Sequence, residues 1–162
     1  MASVDFFLKI DGIAGESTDD KHKGEIELDS WSFGATNSSS FSSGGGAGVG
    51  KVQVSEFKFK KKVDKASANL FTYCCTGEHP KTATLVCRKA GKDQQEFLKI
   101  EMGPVYISAY DIDGSSGDEV PMEDVALAYG KIKFEYKPQK ADGTLDAPIA
   151  GGWDITTNKK VL

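Results

Sequence analysis

Only two histidines and three cysteines occur among 162 residues, and that scarcity removes several chemistries at once. No Cys-x-x-Cys pair exists, so the ligand spacing of a structural zinc site is missing. Cys74 and Cys75 are adjacent, and on a helix they diverge by about 100°, which makes them poor joint ligands. The cysteine count is odd, and the opening "MASVDFFLKIDG" lacks the basic n-region of a secretory leader. Its apolar stretch is broken by Asp5, Lys9 and Asp11. The expectation is synthesis in a reducing cytoplasm, with Cys74, Cys75 and Cys87 as small buried hydrophobes.

An excess of basic residues is also lacking. The formal net charge is −4, so nothing draws the chain to nucleic acid or to anionic lipid. No apolar run approaches the roughly 18 residues a membrane-spanning helix needs. No persuasive active site is present either. His22 lies in the charged run "STDDKHKGE" and reads as part of a solvated loop. No nucleophile elbow supports a Ser-His-Asp triad. The pairs Asp19/Asp20, Asp118/Glu119 and Glu123/Asp124 sit in polar segments and read as solubilising charge rather than a hydrolase pair. The expectation is a non-enzyme with no cofactor and no metal.

What the chain does have is alternation. The segments 4–10, 82–88, 95–102 and 104–112 read as strands. Three longer ones change phase internally. Residues 25–33 alternate at Ile26 and Leu28, then shift to Trp31 and Phe33. Residues 51–63 shift from Val52 and Val54 to Phe57, Phe59 and Val63. Residues 123–136 shift at Gly130, from Val125, Leu127 and Tyr129 to Ile132, Phe134 and Tyr136. Because side chains alternate with period 2, each slip requires a bulge or a bend that moves the strand to another sheet. The fold expected is mainly β, one domain over 1–162 built on a small, highly curved sheet, either a barrel or two orthogonal sheets. One short flanking helix is expected over 67–76, with Ser67 as N-cap and Gly77 as its stop. Leu70, Phe71 and Cys74 would share a face of that helix. Residues 91–93, "GKD", read as a hairpin turn. The segment 138–158 reads as loop, tied down at its end by Trp153 and Ile155.

The chain is rich in glycine, with 18 residues, and many fall in the Ser/Gly loop 38–50. "GGAGVGK" there has the spacing of a phosphate-binding P-loop. The match fails for three reasons. "ATNSSSFSS" before it is no buried strand, position 52 is Val rather than Ser or Thr, and "VQVSEFKFKK" after it reads as a strand rather than a helix. A flexible connection is the better reading. Lys58, Lys60 and Lys62 alternate with Phe57 and Phe59 and form a basic stripe. That stripe is either a solvated face with edge protection or an intersubunit surface for an acidic segment such as "GDEVPMED", which holds Asp118 and Glu119.

Larger blocks carry a resemblance. "DGIAGESTDDKHKGEIELDSWSFG", "VSEFKFKKKVDKASANLF" and "YGKIKFEYKPQKADGTLDA…GGWDI" follow one another in this order. The specific pieces are Gly15-Glu16-Ser17, Trp31-Ser32-Phe33-Gly34, Tyr136-x-Pro138-Gln139 with Asp142-Gly143, and Gly152-Trp153. Over essentially its whole length the sequence resembles the haemolysin-coregulated protein (Hcp) family, the tube protein of the bacterial type VI secretion system. The resemblance implies a compact β-barrel of two curved antiparallel sheets with one short flanking helix, and a homohexameric ring that stacks into a hollow tube inside a contractile sheath. It implies a spike protein at the tube tip, export from the cell, and effector proteins carried in the ring lumen. Under that reading Gly44, Gly45, Gly46, Gly48 and Gly50 become ring-stacking candidates. Ser32 points opposite to Trp31 and Phe33, which makes it a candidate for facing the lumen, or merely an exposed strand residue. Lys58, Lys60, Lys62, Asp118 and Glu119 are intersubunit charge candidates. The alternative class is a monomeric β-barrel binding module for a small ligand or carbohydrate.

Overall fold

The structure is a computed structural model and describes residues 4–38, 51–91 and 93–162. The stacking-loop glycines Gly44, Gly45, Gly46, Gly48 and Gly50 lie outside the described residues, as does Lys92 of the expected "GKD" turn.

Strand β1 (Val4–Ile10) pairs antiparallel with β2 (Ile26–Glu27) on one side and with β7 (Ala83–Lys89) on the other. The ladder continues through β8 (Glu96–Asp113), β9 (Met122–Tyr136), β10 (Ile149–Asp154) and β11 (Lys159–Lys160). β6 (Phe57–Lys62) joins the first half of β9, and β3 (Ser30–Ser32) pairs with β6. A separate two-stranded sheet holds β4 (Ala35–Asn37) and β5 (Val52–Val54). The two expected antiparallel sheets are therefore present, but the ladder does not close into a barrel. Its open seam is crossed by the chain itself. Leu28 N–H donates to Phe6 O of β1 at 3.0 Å, and the next residue, Asp29, donates to Lys60 O of β6 at 2.8 Å.

Each phase slip marks a change of neighbour. The first falls at that Leu28–Asp29 crossing, where the chain leaves β1 for β6. The second falls at Ser55–Glu56, where it leaves the small sheet for the large one. The third falls at Gly130, where β9 exchanges β6 for β10 as its outer partner. Opposite Gly130, β8 slips too: Ile100 and Met102 are buried before Pro104, Val105 and Ile107 after it. A Cβ on Gly130 would lie 3.2 Å from Pro104 Cδ, tighter than ordinary contact.

The helix α1 (Ser67–Thr76) lies against β8 and ends at Gly77, whose φ of 72° is the left-handed stop glycine adopts readily. Ser67 is not its cap. Ala66 takes that position, and the Ser67 hydroxyl accepts Asp64 N–H at 2.9 Å while donating to Glu123 at 2.8 Å. Leu70 is buried and Cys74 half-buried, as their spacing implies, but Phe71 is 55% exposed and leans on the Tyr110 ring at 5.9 Å. The tail is also more ordered than expected. Its strand β10 pairs in register with β9 from Ile149↔Tyr136 to Asp154↔Lys131. Gly152 permits this, since a Cβ there would meet Ile132 O at 2.8 Å.

Leu8, Ile26, Phe57, Leu70, Leu85, Ile100 and Leu127 are completely buried and form the core between the curved ladder and α1. Burial of each such side chain contributes about 1.5–3 kcal/mol. The loop 11–25 covers the outer face of β1 and β7. There Phe7 is held between His22, stacked at 4.4 Å, and the Arg88 guanidinium at 4.8 Å.

Candidate functional site

The residues singled out on β3 and β6 share one exposed face. Cross-strand register places Ser32 opposite Lys58 and Ser30 opposite Lys60. β9 then places Ala126 beside Lys58 and Asp124 beside Lys60, and β8 adds Ala109 and Asp111. Two parallel rows cross four strands: Ser32–Lys58–Ala126–Ala109 and Ser30–Lys60–Asp124–Asp111. They line a surface cleft of about 550 Å³. Ser32 is exposed, while Trp31 turns inward and stacks on Phe57 at 6.0 Å, as strand alternation requires. In the second row Asp111 and Asp124 stand directly opposite each other, an unfavourable like-charge pair. Lys60 offsets it, with Nζ 3.8 Å from Asp124 Oδ1. This face offers alternating cations, carboxylates and hydroxyls to a partner.

The lysine stripe is exposed at Lys58, Lys60 and Lys62, but it does not protect an edge. β6 has neighbours on both sides, so its lysines stand on a sheet face rather than a free rim. Asp118 and Glu119 are exposed in the turn between β8 and β9, and within the chain no ion pair joins them to the stripe.

Directly behind that face lies a buried polar cluster. Lys61 has the parity of Phe57 and Phe59 and is completely buried. Its ammonium binds Asp64 at 2.8 Å and forms a short ion pair with Glu123. Glu123 is equally buried, so it is not the solubilising charge its neighbour Asp124 is. It also accepts hydrogen bonds from Ser67 and from the Tyr110 hydroxyl. Burial first, and then the Glu123 carboxylate, hold the Tyr110 hydroxyl well above its ordinary range. The signal was present in the alternation, since Lys61 and Glu123 occupy core-phase positions on strands that pair.

His22 is likewise not solvated. It is 6% exposed, with Nδ1 2.9 Å from Glu25 and Nε2 2.7 Å from Glu96. Next to it Arg88 grips Asp19 with two hydrogen bonds, at 2.9 and 2.7 Å, and reaches Asp5 at 3.1 Å. The Arg88 hydrogen bonds hold the Asp19 carboxyl at about 2. Gly15 lets the loop close, because a Cβ there would lie 2.4 Å from Glu25 O. The Gly15-Glu16-Ser17 motif is thus a loop-closing device over Phe7.

Cys75 is exposed, Cys74 half-buried and Cys87 buried, with burial pushing the Cys87 thiol up to about 12. Among the described residues, no three His, Cys, Asp or Glu side chains gather as metal ligands. The chain after Lys51 forms β5, so no helix follows the glycine-rich segment to receive a phosphate.

Comparison with known proteins agrees with the sequence blocks. Residues 7–136 match the family described as "Type VI secretion system effector, Hcp". The protein Hcp1 of Pseudomonas aeruginosa is 41% identical over 158 residues, covering 96% of this chain and 98% of that one. A solved type six secretion system protein superposes with a TM-score of 0.92 at 34% identity, covering 97% of this chain and 99% of its own. Crystalline Hcp1 from Salmonella typhimurium gives a TM-score of 0.83 at 38% identity, over 99% of this chain and 100% of that one. Motifs, curved open ladder and near full-length similarity converge: the chain belongs to the Hcp family of type VI secretion system tube and effector proteins.

Proposed function

We propose that this chain is a single-domain structural subunit of the type VI inner tube. Six copies form a ring, rings stack into a hollow tube, and the tube is expelled from the cell with effector proteins in its lumen. The partners under this reading are other copies of the chain, the surrounding sheath, the spike at the tip and the cargo. The role is mechanical and carrying rather than catalytic.

The observation that carries the reading is the β3–β6–β9–β8 face. It is a broad, polar strand surface on a molecule whose opposite sheet face is packed with apolar side chains. A ring subunit needs such a wall: rigid, solvated and able to meet cargo through side chains. Ser32 stands at the β3 end of that wall, and Lys58 is its partner across the strands. Lys58, Lys60 and Lys62, with Asp118 and Glu119 on a neighbouring copy, supply charges for contacts between subunits. Gly44, Gly45, Gly46, Gly48 and Gly50 are the ring-stacking candidates under this reading.

The test is size-exclusion chromatography with light scattering at two protein concentrations, followed by negative-stain imaging. A ring-shaped particle of six chains supports the reading. A monomer at both concentrations overturns the ring and favours a single-chain binding module.

A further inference from the structure

The two ends of the large ladder carry opposite charge. At one end two clefts, of about 400 and 350 Å³, meet over Thr18, Glu27 and Leu28. Their walls hold six carboxylates: Asp5, Glu16, Asp19, Glu27, Asp29 and Asp64. Arg88 occupies Asp5 and Asp19, and Lys61 occupies Asp64. Among the described residues, Glu16, Glu27 and Asp29 form no ion pair, and the nearest other cation in the cleft walls is Lys62. Arg88 is 3% exposed and lines the same cleft, yet its Nε–H has no acceptor. A buried donor without a partner carries a desolvation cost that an incoming oxygen would remove.

The opposite end is β11. Lys159 and Lys160 are exposed there and form no ion pair among the described residues. β11 pairs only with β10, so its outer edge presents free backbone carbonyls. Val161 and Leu162 follow it, 37% and 54% exposed. Directly across from Lys160 stands Trp153, whose buried Nε1–H is the second side-chain donor without an acceptor among the described residues.

We propose that residues 159–162 of one copy dock in the Glu16–Glu27–Asp29 cleft of the next, forming a head-to-tail contact. This rests on the self-assembly reading above and names the surfaces it uses. Each end supplies what the other lacks. The lysines meet the free carboxylates, and a β11 carbonyl meets Arg88 Nε–H. A cleft carboxylate meets Trp153 Nε1–H, and Val161 and Leu162 cover Leu28 and the 38%-exposed Val120. Lysines on an edge strand ordinarily repel a second strand. A carboxylate-walled cleft turns that same charge into recognition. The two surfaces are different patches of one chain, so the contact is heterologous and propagates in one direction.

The experiment compares the full-length protein with two charge swaps at exposed positions, Lys159→Glu/Lys160→Glu and Glu27→Lys/Asp29→Lys. Sedimentation velocity and negative-stain imaging at low salt read both ring formation and ring stacking, and circular dichroism confirms that each variant is folded. Each swap alone is expected to weaken the affected assembly step at least tenfold, and an equimolar mixture of the two to restore it. Rings and stacking unchanged in both folded swaps overturn the inference, as does loss that mixing fails to restore. Where a swap does not fold, the single changes Lys160→Glu and Asp29→Lys take its place with the same criteria. A wild-type chain that never assembles overturns the ring reading itself, which separates the two failures.

Discussion

Lys61 and Glu123 face each other across β6 and β9 with no solvent exposure on either side chain. Their immediate neighbours in register, Lys60 and Asp124, form a looser pair at 3.8 Å on the exposed face of the same strands. One cross-strand step therefore separates an ion pair that holds the fold from one that faces solvent. The buried pair draws in Ser67 and Asp64 from the start of α1 and Tyr110 from β8. It fastens the helix to the back of the wall that carries Ser32 and Lys58.

That arrangement predicts a strong asymmetry between single and double substitutions. Removing one partner strands a charge in the core, and the usual cost is about 3–5 kcal/mol. Lys61→Met and Glu123→Leu should each lower the urea midpoint accordingly. The double variant should recover most of the loss, because well-packed apolar residues often replace a buried pair at little cost. A Glu123→Leu protein within about 1 kcal/mol of wild type, judged against that range, would show that the pair is not desolvated as described.

Much of this architecture is legible in the sequence because strand alternation is a local signal. The phase slips at Leu28–Asp29, Ser55–Glu56 and Gly130 each mark a point where the chain changes sheet neighbours. Trp31 and Phe33 against Ser32 follow from the same rule. Alternation puts Lys61 and Glu123 in core phase, but their pairing does not emerge that way, because it depends on a register between segments 62 residues apart. His22 is masked for the same reason. Its neighbours in sequence are charged, and the Glu96 that accepts its Nε2 is 74 residues away. Strand β10 escaped notice because Gly151 and Gly152 weaken its pattern, although Gly152 is what allows β10 to approach β9.

The Asp19–Arg88 contact sets a pH dependence with a definite sign. Asp19 has a folded value of about 2 against an ordinary 3.8. The depressed group stabilises the fold fully above its unfolded value, and the contribution is lost as pH falls from near 4 through about 2. Asp19→Asn should therefore melt below wild type by a constant margin at pH 5–7, judged against the ordinary carboxylate range. The margin should shrink as pH falls from near 4, and the two curves should meet only below about 2, where Asp19 is protonated in both states. Curves that stay parallel through that range would assign the difference to packing instead.

The cysteines should separate by reactivity under native conditions. Cys75 is exposed, Cys74 half-buried, and Cys87 buried with its thiol pushed up to about 12. Thiolate availability and access together govern attack on a disulfide reagent. Titration with such a reagent at neutral pH should modify Cys75 first, Cys74 more slowly and Cys87 only after denaturation. Single Cys→Ser variants assign the phases. Rapid labelling of Cys87 in the folded protein would contradict the closed packing beneath β1 and β7.

Ser32 tests the cargo wall most directly. Its side chain is exposed and sits opposite Lys58, so a larger polar residue fits without disturbing Trp31 beneath. Exposed substitutions of this kind usually shift stability by no more than about 0.5 kcal/mol. Ser32→Gln should therefore leave the melting temperature and the ring intact while it crowds the surface that meets an effector. The measurement is the amount of effector that co-purifies with the ring and the amount exported, each normalised to wild type. A several-fold fall in both, with rings unchanged by imaging, places Ser32 in contact with cargo. Lys58→Glu on the same row separates its two proposed roles: rings intact with altered effector retention put Lys58 on the cargo wall, and loss of the ring puts it in the contact with Asp118 or Glu119 of a neighbouring copy. If both variants carry and export every effector at wild-type levels, the lumen wall is formed by another face, and the β3–β6–β9–β8 surface belongs to contacts between subunits.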